Sequence, residues 1–233
     1  MKRLDLWSHE IRRAGPTALL GPPALVVLAV LLAAFGTRIG SREGNTARFL
    51  VAFVEMGIPL LTGLLAASLV GRDRAVELRL ALPSAYRATL LRRLAVTVGW
   101  AGVCALAISA LLTAGGWWER LPLSPGGVAG QLAWLSPTLW LTALGLLAYA
   151  ASRTTVAATA TVALVWVVEQ ALSEALRDNP ASRWLYLFAT TRGVADGDWL
   201  PNRLVLLATA LPLAVAAWFL LGDVERFLGG EDE

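Results

Sequence analysis

Glu55 is the most informative ionisable residue in the chain, because it stands inside an apolar run over 49–70, beside Gly57 and Pro59. A carboxylate at such depth costs about 2.5–3.5 kcal/mol on membrane-insertion scales, so it must face protein or water. Two roles fit it. One is a residue of a transport pathway or of a dimer interface. The other is a protonated carboxyl hydrogen-bonded to a neighbouring helix, with a structural duty only. Glu169 and Gln170 lie towards the end of another apolar run, and Glu174 follows near its edge. They can line a vestibule, although placement at a membrane boundary alone also explains them.

The second concentration of chemistry runs from Gly71 to Leu94. Asp73 and Glu77 are four residues apart, which puts both carboxylates on one face of a helix leaving the second apolar run. Arg72 precedes them, and Arg74 and Leu78 fall on an adjoining face. Pro83 drives Leu82 out of helical geometry. Ser84 can then cap a new helix that carries Arg87, Arg92 and Arg93 into the next apolar run. The spacing therefore predicts a helix–break–helix element, charged for contact with another protein and joined stiffly to two apolar segments. A plain basic loop that only sets membrane orientation is the simpler reading, but orientation needs arginines, not the Asp73/Glu77 pair or the Pro83–Ser84 break.

The inventory excludes several chemistries. Lys2 is the only lysine, so the phosphate-cradling Gly-x-x-x-x-Gly-Lys-Ser/Thr loop cannot occur. His9 is the only histidine, which removes a histidine-based zinc site or a Ser–His pair within the apolar runs. Cys104 is the only cysteine and lies in an apolar run, where a small buried residue is the ordinary reading. No metal site, no cofactor bound by this chain and no catalytic residue is expected, and the chain is not read as an enzyme.

These residues are carried by a strongly apolar chain. Of 233 residues, 57% are hydrophobic and 16% charged, against about a quarter charged in ordinary soluble domains. Six segments have the ~20 mostly apolar residues that a helix needs to cross a bilayer: 17–36, 49–70, 94–114, 131–151, 155–175 and 203–221. Lipid offers no partner to free backbone groups, so each must be helical. The fold class expected is all-α: a polytopic membrane protein of six transmembrane helices, with residues 1–15 as an amphipathic helix at the interface and 16–233 as the transmembrane domain. In that first helix Leu4, Trp7, Ile11 and Ala14 share a face, ended by Gly15–Pro16.

With both termini cytoplasmic, twelve basic residues fall inside and eight outside, the bias being strongest in the first two inner segments. The net charge of +3 then reflects orientation, not nucleic-acid binding. Several of the ten tryptophans, Trp117 and Trp118 among them, sit at run ends as boundary anchors. Segment 176–202 mixes the apolar Trp184–Phe188 stretch with Asn179–Pro180, Gly193 and Gly197, and is expected to dip back into the outer edge of the membrane as short helices. Small residues recur every fourth position at Ala101, Ala105 and Ser109, and at Ala157 and Thr161, where helices can pack closely.

Segment 72–93 resembles the cytoplasmic signature of ABC-2-type transporter permeases: an acidic residue, Glu-Leu, Leu-x-x-Pro, then basic residues entering the third span. The matching residues are Asp73, Glu77–Leu78, Leu80–Ala81–Leu82–Pro83 and Arg92–Arg93. The surface helix, the span count and the long outer segment extend the resemblance over nearly the whole chain. It implies a coupling helix docked on a separate cytoplasmic ATPase. It also implies a dimer of permeases working with two ATPase subunits that carry ATP and Mg, and export as the direction of transport. Neither a large extracellular domain nor a fused ATPase is expected from these 233 residues, which leaves the cargo open. The sparse polar inventory of the spans suits a hydrophobic or amphipathic one. The alternatives are a secondary transporter with Glu55 and Glu169 as proton carriers, and a non-transporting assembly subunit in the membrane.

Overall fold

The structure is a computed structural model that describes residues 15–40, 43–69, 86–120, 127–195 and 197–221. The expected surface helix over 1–15, except its last residue, and the expected coupling residues Arg72, Asp73, Arg74, Glu77, Leu78, Leu82, Pro83 and Ser84 lie outside the described residues. Among the described residues every regular element is helical. In chain order they are α1 (Gly15–Arg38), α2 (Glu43–Ala52), a π turn (Phe53–Gly57), α3 (Ile58–Leu69), α4 (Tyr86–Ala114), α5 (Gly127–Gly130), α6 (Leu132–Ser152), α7 (Thr155–Ala171), α8 (Ser173–Asp178), α9 (Ala189–Arg192) and α10 (Trp199–Leu220). Single 3-10 turns lie at Trp118–Arg120 and Ser182–Leu185.

Five helices are long and apolar enough to cross a membrane: Gly15–Arg38, Asn45–Leu69, Thr89–Ala114, Gly127–Ser152 and Trp199–Leu220. The second is α2, the π turn and α3 running as one rod. The segment expected as a further span, 155–175, is divided. α7 has 17 residues, ~26 Å of helix against a hydrocarbon core of ~30 Å. At Leu172 the backbone leaves helical geometry before α8 begins.

Two proline-bearing rods show how backbone groups are satisfied in an apolar setting. In α1, Pro22 and Pro23 lie within the helix and bring no N–H to the carbonyls four residues upstream. The indole of Trp100 donates to one of these, the Leu19 carbonyl, at 2.8 Å. In the second rod Pro59 likewise cannot donate to the Glu55 carbonyl, and the ladder slips, so that Ile58 N–H bonds Phe53 five residues back. The indole of Trp166 donates to the Met56 carbonyl at 3.1 Å.

α6 is the centre of the bundle, packed against α3, α7 and α10. It approaches α3 closely: a Cβ built on Gly145 would stand 2.5 Å from the Gly63 carbonyl oxygen and 3.2 Å from the Ala67 nitrogen. Only glycine at 145 permits that distance. Ala101, Ala105 and Ser109 of α4 are all buried, on the side packed with Leu50, Val51 and Ala29. On α7 the buried pair is Ala158 and Val162, one position on from the expected Ala157 and Thr161. The α6–α7 turn is tight. Arg153 ends α6 in the left-handed region at φ 58°, and the Thr154 hydroxyl accepts from Ala157 N–H to start α7.

Candidate functional site

The segment between α7 and α10 folds back among the helices. Tyr186, Leu187, Phe188 and Ala189 are fully buried, packed with Leu141 of α6, Val162 of α7 and Leu206 of α10. Trp166 and Tyr186 meet the Phe188 ring edge-on at 5.9 and 6.0 Å. Irregular backbone this deep in an apolar bundle needs a partner for each exposed N–H and C=O, and water cannot supply it. Four side chains from the long helices do so.

Glu55, placed by the π turn, accepts from the backbone N–H of Thr190 at 2.7 Å on one oxygen. On the other it accepts from Thr191 N–H at 2.6 Å and from the Thr191 hydroxyl at 2.5 Å. Arg203, near the start of α10, donates to the first oxygen through Nη2 in a salt bridge. Arg203 also donates to the Leu187 carbonyl at 2.8 Å and to the Thr190 hydroxyl at 3.2 Å. Trp199, one turn earlier, donates its indole N–H to the same hydroxyl at 3.0 Å, and its ring lies under the guanidinium at 5.7 Å. Asn202 donates to the carbonyls of Arg183 and Tyr186 at 2.7 and 3.0 Å. Glu169 of α7 accepts from Leu187 N–H at 3.1 Å. Glu55 and Arg203 are both 0% exposed.

The chemistry of this arrangement is that of a clamp. Both carboxylate oxygens of Glu55 are engaged by donors. The opposite charge is in contact, as a buried ion requires. Around this centre the arrangement grows more open. Gln170 donates to the Met56 thioether at 2.9 Å and accepts from Arg192 at 3.2 Å. Arg183 pairs with Asp198 at 3.0 Å and lies over the Trp184 ring. Arg177 is hydrogen-bonded to Asp178 at 2.8 Å and holds that exposed carboxyl below its ordinary value.

Glu55 and Glu169, singled out in the sequence, thus grip the same few residues from two different helices, and Gln170 sits beside them. Arg203, Asn202, Trp199, Thr190 and Thr191 were not singled out. Arg203, the first residue of the expected run 203–221, counted only as one of the eight basic residues on the outer side. The signal was nevertheless there: a carboxylate buried in an apolar run calls for an opposite charge, and an arginine at the lip of another apolar run is a ready source. Thr190 and Thr191 act largely through backbone N–H groups, which no side-chain pattern reveals. Among the described residues no group of three or more His, Cys, Asp or Glu could hold a metal ion.

Comparisons with family models, with curated proteins and with solved structures return no match. Fold and site therefore define a class: an all-helical protein with five helices long and apolar enough to cross a membrane, and an irregular segment fastened inside the bundle by buried polar side chains.

Proposed function

We propose that the chain is the membrane-spanning permease subunit of an ATP-driven transporter of the ABC-2 type. It would work as a dimer with two separate cytoplasmic ATPase subunits and export a hydrophobic or amphipathic cargo. The observation that carries this reading is the sequence between the second and third apolar rods: Asp73 and Glu77 four residues apart, the Pro83–Ser84 pair, and Arg92–Arg93. The fold-back segment before α10 supports it, since the resemblance implies short re-entrant helices at that place. In this reading 155–175 makes a sixth crossing despite the interruption at Leu172, both termini face the cytoplasm of a cell's inner membrane, and residues 176–202 lie at the outer side. ATP and Mg belong to the partner, because Lys2 is the only lysine.

A secondary transporter with Glu55 as proton carrier is the weaker reading. A carrier must release and rebind its proton with access to water, whereas Glu55 is enclosed, accepts three hydrogen bonds from Thr190 and Thr191 and pairs with Arg203. In the proposed mechanism Glu55 and Arg203 join the outer segment to the second and last rods, so that movement driven from 72–93 reaches it as one body. The test is co-purification, from mild detergent, with an ATPase encoded beside this chain. A stable complex that the double variant Asp73→Ala, Glu77→Ala loses, or whose ATP turnover it uncouples from cargo, supports the reading. A chain that purifies alone and drives flux from a proton gradient sinks it.

A further inference from the structure

The seam between α1 and the α2–α3 rod holds two clefts in line. The first, about 380 Å³, lies at mid-length between Gly21, Leu25 and Leu28 of α1 and Gly57, Leu61 and Leu64 of the rod. The second, about 250 Å³, lies at the end of the helices, between Leu32, Phe35 and Gly36 on one side and Asn45, Thr46 and Phe49 on the other. Gly21, Leu25, Leu28, Leu32 and Phe35 are spaced by four, three, four and three, so they form a single ridge of α1. Phe53 links the clefts on the other wall. Its ring is 5.2 Å from Phe49 and within 4 Å of where a Gly57 Cβ would stand, beside Leu25.

From Gly21 to Gly36 the groove runs ~22 Å along α1. That is a single hydrocarbon chain reaching past the ~15 Å of one leaflet. α1 makes room for it by burying only small or compact residues: Ala18, Pro22, Ala29 and Ala33. Polarity is confined to one end. Asn45 and Thr46 line the terminal cleft, and the Thr46 hydroxyl has no hydrogen-bond partner among the described residues. Arg48 is exposed one turn from Asn45, and Arg38 is exposed at the end of α1. A third cleft, on the other flank of α1 beside Leu19, Gly99 and Trp100, has no such polar end.

The geometry points to a binding site for one anionic phospholipid, with an acyl chain lying in the α1/α2–α3 seam and its phosphate at Asn45 and Arg48. The apolar length selects an acyl chain, and the basic rim selects the sign of the headgroup. The site needs only that these helices lie in a bilayer, so it stands or falls separately from the transport reading.

The test is native mass spectrometry of the full chain in detergent micelles doped with phosphatidylglycerol or with phosphatidylcholine. Wild type should retain one lipid per chain, with about a fivefold preference for phosphatidylglycerol. Ala24→Phe fills the middle cleft and should remove most retention of both lipids. Arg48→Gln should keep retention and abolish the preference. Leu28→Trp replaces Ala24→Phe if that variant does not elute as a folded species. Equal retention by wild type and the filled variants overturns the groove, and equal affinity of wild type for the two lipids overturns the headgroup assignment. If Ala24→Phe converts a dimer to a monomer without changing lipid retention, a second copy covers the seam and the proposal fails.

Discussion

Arg203→Ala removes the cation that pairs with a carboxylate that is 0% exposed, and the size of the effect follows from that burial. The variant strands Glu55 as an unpaired buried charge and leaves the Leu187 carbonyl without the guanidinium donor at 2.8 Å. Breaking a buried pair from one side costs about 3–5 kcal/mol. At 150–250 residues each kcal/mol moves the melting midpoint by about 2–4 °C, so a fall of about 6–20 °C is expected. The double variant Glu55→Gln, Arg203→Met removes both charges at similar volume and should recover much of that loss, since replacing a whole buried pair is often close to neutral. The assay is heating in one detergent at one scan rate, with the folded fraction read by size-exclusion chromatography, because membrane proteins commonly unfold irreversibly. Arg203→Ala within about 2 °C of wild type refutes the clamp as an energetic element. A double variant no better than the sum of the singles refutes the pairing.

Gly145→Ala should destabilise by about 1–3 kcal/mol or abolish the folded species, because the new methyl meets the Gly63 carbonyl at 2.5 Å; an unchanged melting midpoint would show that α3 and α6 do not approach so closely. Trp166→Phe keeps an aromatic ring but leaves the Met56 carbonyl without the indole donor, a cost of about 1–3 kcal/mol readable in the same melting assay. Arg153→Gly relieves a left-handed backbone at φ 58° and should raise stability by about 1 kcal/mol, whereas Thr154→Ala should lower it by a similar amount through loss of the α7 cap. Hydrogen exchange should find the amides of Thr190 and Thr191 as protected as those of the long helices, and Glu55→Ala should release both; rapid exchange in wild type would contradict the clamp.

The helical class and the approximate position of five long rods were legible in the sequence because an apolar solvent leaves the backbone few options. A run of ~20 apolar residues has to close its own hydrogen bonds, and the runs can simply be counted. The ends were less legible. Four of the five helices begin several residues before the apolar run expected for them, as at Asn45 and Trp199, and α1 begins at Gly15, since polar residues remain helical beyond the apolar stretch. Residue 172 shows the opposite case. It lies among Glu169, Gln170, Ser173 and Glu174, yet the run 155–175 read as one span, and the interruption that divides α7 from α8 falls inside it.

The anomaly of Glu55 was also a property of the sequence: a carboxylate in an apolar run must find partners. Which partners it finds was decided only by the tertiary structure. They come from residues 135 to 148 positions away, and two of them are backbone N–H groups that carry no side-chain identity. The same holds for Trp166 and Trp100, which stand inside their apolar runs and act on single carbonyls of distant helices. Sequence period fixes which face of a helix is apolar. It does not fix which orphaned carbonyl or buried charge stands opposite that face, because this depends on how the rods cross and how deep the irregular segment sinks between them.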